Sequence, residues 1–224
     1  MLSDTERVIY LKALFLIIFI VSSVIHLYAS LKCNKKLRAY TKVFIVSSLL
    51  GWYCCAASVV RPIIIIALFF SWLGDVLLIP HGTKWFTAGG IAFMVSHFAF
   101  ILAYYPQIDF PSIPIWVIVI AALVYFLAVT LIFIKLKQYL PKMLFYPMYL
   151  YLLINGAMNC FALFRLISMP CRATLITFIG AVLFFMSDST LFFVRFNKDG
   201  KLKTHFTVML TYIFAEFLIV LGLI

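Results

Sequence analysis

Apolar residues fill the chain so densely that the informative positions are those where the apolar runs stop. Eight runs are long enough to cross a bilayer core, which takes roughly 20 apolar residues per helix. They cover residues 8–31, 43–60, 62–80, 85–105, 113–134, 143–164, 173–194 and 206–224. Proline, glycine or charge punctuates the intervals, as in Pro80-His81-Gly82, Pro106 to Pro114, Pro141, Pro170 and Lys198-Asp199-Gly200. Such short connections make consecutive helices antiparallel neighbours. Only Arg61-Pro62 divides the second run from the third, so that boundary rests on a single charge. The first run has no small-residue cleavage site and is longer than the core of a signal peptide, so it reads as a retained helix. Together the runs consume most of the 224 residues. The pattern predicts an all-α polytopic membrane protein, with eight transmembrane helices in one bundle and a single domain over residues 1–224.

Polar residues inside these runs are few. Asp75 and Asp188 stand in FFSWLGDVLLI and FFMSDSTLFF. An ionised aspartate at the centre of a membrane helix costs roughly 3 kcal/mol even on lenient scales, which makes such residues functional candidates by default. Ser71 lies four residues before Asp75 and so on the same helix face, and Ser187 and Ser189 flank Asp188. His97 sits mid-run; Tyr151, Asn155 and Asn159 form an i, i+4, i+8 stripe; Tyr212 and Glu216 are one turn apart. Lipid offers these groups no partners, so they must face inward and satisfy one another or line a wet cavity. The structural reading of each is simpler. Helical serines bond back to their own backbone, buried asparagines join helices, and a lone interior histidine is usually just satisfied. The 24 phenylalanines are lipid-facing bulk.

Aligning Asp75 with Asp188 also superposes Leu78 on Leu191 and Gly74 on Ser187, four runs apart. That offset is compatible with a parallel four-plus-four repeat. Both aspartates then fall about 10 Å from the same end of the bundle. Equal depth lets them face one shared cavity.

Composition agrees with the pattern: the chain is 66% hydrophobic and 11% charged, with a mean hydropathy of +1.16. Its net charge of +11 is explained by where the charges lie. Thirteen of the 18 Lys and Arg residues fall in the loops after the first, third, fifth and seventh runs, against five on the other side. The positive-inside rule puts the odd-numbered loops in the cytoplasm and both termini on the opposite side. No basic patch with interleaved aromatics suggests nucleic acid; membrane lipid, including anionic headgroups, is the expected partner. Five cysteines in no metal or redox spacing read as small buried residues. No Zn-ligand set, serine-hydrolase elbow, P-loop or dinucleotide fingerprint occurs, so neither a metal nor a cofactor is expected. What remains is acid–base work by carboxylates.

The segments ALFFSWLGDVLLI, AGGIAFMVSHFAFILAY, YLLINGAM, IGAVLFFMSDSTLFF and TYIFAEFLI, in this order, resemble the lysoplasmalogenase (YhhN-like) membrane family. That family pattern has Ser-x-x-Gly-Asp, Gly-x-x-x-Phe-x-x-x-His, Tyr…Met, Phe-x-x-Ser-Asp and Tyr-x-x-x-Gln helices, and the likeness covers about residues 40–224. Lys42, at the mouth of the second run, resembles the Lys-Pro of the family with Val43 in place of proline. Glu216 stands where the family usually has Gln, and Phe100 where a Tyr often follows.

The resemblance implies hydrolysis of the vinyl ether bond of a lysophospholipid, the lysoplasmalogen. Protonation of the alkene carbon gives an oxocarbenium ion that water captures, so the reaction needs one protonated acid and one stabilising anion. Two carboxylates in a low-dielectric pocket can divide those roles, as in glycosidases. Asp75 and Asp188 are the catalytic candidates, unassigned between acid and base. Ser71, His97, Tyr151, Asn155, Ser187, Tyr212 and Glu216 would orient them or contact the glycerol, and Lys42 would meet the phosphate. Two other readings use the same residues: a proton-coupled transporter with the carboxylates as a relay, or a lipid-sensing protein without turnover.

Overall fold

In the computed structural model, residues 4–196 and 205–224 are described. They fold into eight α-helices with no strand among them. These are α1 (Asp4–Leu31), α2 (Lys35–Ala56), α3 (Pro62–Leu77), α4 (Thr83–Tyr104), α5 (Ile115–Lys137), α6 (Phe145–Ser168), α7 (Arg172–Phe196) and α8 (His205–Leu221). The expected turn at Lys198-Asp199-Gly200, with Lys198, Lys201 and Lys203, lies outside the described residues. Six helices are long and apolar enough to cross a membrane. At 16 and 17 residues, α3 and α8 are shorter. This is the pattern of a multi-pass membrane protein.

Helix ends explain most departures from the expected boundaries. The side chain of Asn34 accepts a hydrogen bond from the Leu37 N–H at 3.1 Å, so α2 starts at Lys35, seven residues before Lys42. Lys42 is therefore two turns inside the helix rather than at its mouth. Pro62 occupies the first turn of α3, where its missing N–H costs nothing. The other end of α3 stops at Leu77 because Pro80 disfavours helical geometry at Ile79. Asp75 thus stands two residues from the end of its helix, while Asp188 is eight from the end of α7.

Six helices make an inner ring. Chain neighbours α2, α3 and α4 pack in series, α4 meets α6, then α6, α7 and α8 follow, and α8 closes back on α2. The two others stay outside: α1 against α2 and α8, and α5 against α6 and α7. Those two bury few side chains, and most of their surface is large exposed Ile, Leu, Val and aromatic residues suited to lipid. Stacking of Phe217 on Phe19 and Trp52, at 5.5 and 5.7 Å between ring centroids, fastens α1 and α2 to α8. Of the five free cysteines only Cys160 is buried; Cys33, Cys54 and Cys171 are exposed, contrary to the expectation for them.

Small residues set how closely the paired helices approach. A Cβ on Gly89 would sit 2.9 Å from the Leu78 side chain and 3.2 Å from the Gly74 carbonyl oxygen, so α3 and α4 touch there. The next residue, Gly90, faces the other way and has nothing within 4 Å of its Cβ position. On α7, a Cβ on Gly180 would lie 2.9 Å from the backbone of Ala215 and Ile219 on α8. Gly180→Val should therefore destabilise the detergent-solubilised protein by about 1–3 kcal/mol. Gly90→Ala should leave thermal unfolding unchanged or raise it slightly.

Candidate functional site

Inside the ring, aromatic rings span the space between helices. Phe93 of α4, Phe184 of α7 and Tyr212 of α8 meet edge to face, with centroids 5.4–6.3 Å apart. The two aspartates sit beside this cluster, Asp75 at 1% exposure and Asp188 at 5%. Both line one cavity of about 180 Å³.

Their surroundings differ. Asp75 is held at both oxygens: the Lys42 ammonium lies 3.1 Å from Oδ1, and the Tyr212 hydroxyl donates to Oδ2 at 2.9 Å. Lys42 comes from α2 and is itself mostly buried, its side chain 16% exposed. Asp188 is held at one oxygen. The Tyr151 hydroxyl donates to Oδ2 at 2.5 Å and the Asn155 amide at 2.8 Å, while His97 Nε2 lies 3.2 Å away. All three of these contacts fall on Oδ2, and the residue lines the cavity. The i, i+4 stripe on α6 is what delivers two of these donors from one helix face. Its third member, Asn159, bonds back to the Asn155 backbone and side-chain oxygens, fixing the Asn155 amide.

The ten candidate residues divide into two layers. Lys42, Asp75, Ser187, Asp188 and Tyr212 line the cavity. Ser71, His97, Tyr151, Asn155 and Glu216 stand behind them. Ser187 donates across to the Val208 carbonyl of α8 at 2.9 Å, so it pins two helices together. Ser71 pairs with Ser96 at 2.8 Å. Glu216 is fully buried, one turn beyond Tyr212, with the hydroxyls of Ser71 and Tyr212 as its polar neighbours. Ser189 bonds to the Phe185 carbonyl of its own helix, as helical serines do.

Several residues of the site carry no signal in the sequence. Lys35, Arg38 and Arg195 surround the cavity mouth together with His26, His81 and His205. These come from the α1–α2, α3–α4 and α7–α8 junctions, which therefore share one end of the bundle. His81 lies in the α3–α4 connection and His205 is the first residue of α8, positions where spacing is silent, and His26 finds its partner across the helix pair, at Thr41 Oγ1, 2.8 Å away. Only the bias of Lys and Arg towards the odd-numbered loops pointed to this end. Cationic side chains and two carboxylates therefore share one cavity, which gives it charges of both signs. Among the described residues, no three His, Cys, Asp or Glu side chains gather as a metal site would require.

The model of one protein family, the YhhN family, matches residues 37–223. That is most of the chain, and the protein belongs to this family. No curated protein and no solved structure matches it.

Two predictions concern the buried charges. Lys42→Met leaves the Asp75 carboxylate without its cation and should cost about 2–3 kcal/mol of stability. Combining it with Asp75→Asn should restore most of that loss in thermal unfolding, because both halves of the pair are then neutral. Glu216→Gln keeps the shape of the side chain and a hydrogen-bonding oxygen beside Ser71 and Tyr212, and removes a fully buried ionisable group that has no cation beside it among the described residues. Unfolding temperature should stay the same or rise; a marked fall would show that the carboxylate itself supports the bundle.

Proposed function

We propose that this member of the YhhN family is a membrane hydrolase that cleaves the vinyl ether bond of lysoplasmalogens. The products are a fatty aldehyde and glycerophosphocholine or glycerophosphoethanolamine. One observation carries this reading: two carboxylates with opposite surroundings open onto a single cavity under a cationic mouth. The family resemblance supplies the bond, and the geometry supports the division of labour.

Asp188 is the acid in this reading. Donors from Tyr151, Asn155 and His97 already crowd its Oδ2, so the transferable proton is assigned to Oδ1 of this cavity-lining residue. Transfer of that proton to the β-carbon of the enol ether breaks the alkene π bond and places positive charge on the α-carbon and ether oxygen. Asp75, tied to Lys42 and Tyr212 and lining the same cavity, stabilises that cation electrostatically. Water adds to the cation and returns a proton to the Asp188 carboxylate. The resulting hemiacetal expels the glycerol oxygen, which takes the hydroxyl proton, and the aldehyde leaves. Lys35, Arg38 and Arg195 suit the phosphate of the head, while Lys42 serves Asp75. His97, Tyr151 and Asn155 position the acid.

The two aspartates are held in parallel ways, which supports the four-plus-four repeat. Asp75 of α3 takes partners from α2 and α8; Asp188 of α7 takes partners from α6 and α4. Each set comprises the preceding helix and the helix at the matching place in the other half. The step from 75 to 188 is 113 residues, and 42 plus 113 is 155, so Lys42 corresponds to Asn155. The cavity mouth at the Lys- and Arg-rich end supports placing the odd-numbered loops in the cytoplasm and both termini across the membrane.

Asp188→Asn and Asp75→Asn should each lower aldehyde release from lysoplasmalogen by about 10²–10⁴-fold. Thermal unfolding of Asp188→Asn should stay close to that of the unaltered protein. Retention of most activity in both variants refutes the assignment. Proton-coupled solute uptake into proteoliposomes, with no aldehyde formed, would favour the relay reading instead.

A further inference from the structure

A second chamber lies beside the first. An apolar groove of about 580 Å³ runs between α4 and α6. Phe86 lines both chambers. Tyr151 joins them chemically: its side chain lines the groove while its hydroxyl bonds Asp188. Phe192, also in the groove wall, packs on Tyr151 and Phe86 with centroids 5.3 and 6.1 Å apart. The groove begins at the first turns of α4 and α6, at the same end as the cationic mouth, and continues to Met94 and Leu153. From Phe86 to Met94 it follows α4 for roughly 12 Å towards the bundle middle.

We propose that this groove holds the single hydrocarbon chain of the lipid substrate while the cavity takes its phosphorylated head. The proposal rests on the reading of the site as a lysolipid hydrolase and adds how the substrate lies in it. An amphiphile in a membrane has its head at the polar end and its chain running inward, and the two chambers are arranged in that order. The bond to be cleaved sits where head meets chain. In the molecule that junction is the wall of Phe86 and Tyr151, beside Asp188. One groove adjoining the cavity fits one chain, so the arrangement selects single-chain over two-chain phospholipids.

Gly90 keeps the groove open. It lines the wall, and its Cβ position meets no atom within 4 Å, so a larger side chain there would project into the space of the chain. Its neighbour Gly89 is in close contact with α3 and cannot serve this purpose.

The test uses the full-length protein in membranes with a single-chain alkyl ether phospholipid carrying a diazirine at its chain end. The saturated ether is inert to the proposed chemistry, so binding is read independently of turnover. After irradiation, adducts should concentrate on Met94, Leu150 and Leu153, and Gly90→Phe should remove most of them. A two-chain phospholipid with the same label should mark these positions far less. For hydrolysis, Gly90→Phe should raise KM about fourfold for each methylene it excludes, while short-chain substrates keep their kcat. If Gly90→Phe unfolds, Met94→Trp narrows the same groove and takes its place.

Adducts spread over the outer faces of α1 and α5, labelling unaffected by either variant, or equal labelling by the two-chain lipid would each overturn the proposal. Groove labelling without aldehyde release from lysoplasmalogen would refute the vinyl ether reading and leave the chain site standing. Aldehyde release without groove labelling would do the reverse.

Discussion

Burying two carboxylates among phenylalanines is the constraint to which the inner ring answers. Left alone, each charge would cost several kcal/mol in so apolar a setting. The bundle meets the cost with donors brought from four different helices: Lys42 and Tyr212 for Asp75, and His97 with Tyr151 and Asn155 for Asp188. Because those donors lie on α2, α4, α6 and α8, the pairs stitch together helices that a bilayer alone would not hold in register. Apolar packing of the usual kind does the rest, with Phe217 fastening the outer helix α1 and glycines letting α3 meet α4 and α7 meet α8.

The means of satisfying each acid decides its chemical character. A lysine pairs with one oxygen of Asp75 and holds it as the carboxylate, with a phenol on the other oxygen. Phenol, amide and imidazole crowd onto a single oxygen of Asp188. Among the described residues, no lysine or arginine is a partner of Asp188, which distinguishes its setting from that of Asp75. The difference comes from the sets of partners and not from depth, since both residues are almost wholly buried.

Much of this was legible in the amino-acid order. Apolar runs located all eight helices, the cost of an intramembrane charge singled out Asp75 and Asp188, and helical spacing placed Tyr151 and Asn155 on one face. What spacing could not reveal were contacts between helices distant in sequence. Lys42 read as a rim residue because an apolar count begins α2 at Val43, whereas the Asn34 cap begins it at Lys35. The histidines of the mouth lie at or near helix ends, where no periodicity speaks for them. Ser187 looked like a residue bonding to its own helix, yet its hydroxyl reaches the carbonyl of Val208. The groove along α4 rests on the absence of a side chain at Gly90, and two adjacent glycines read identically until a fold gives each a direction.

The unequal holding of the two acids has a stereochemical consequence. Asp188 lines the cavity from α7 and Asp75 lines it from α3, so a flat enol ether seated between them would offer the proposed acid only one of its two faces. Under the proposed reaction, hydrogen would enter the prochiral carbon next to the nascent carbonyl with a single handedness. That handedness would be written by which half of the molecule carries lysine and which carries asparagine at positions 42 and 155.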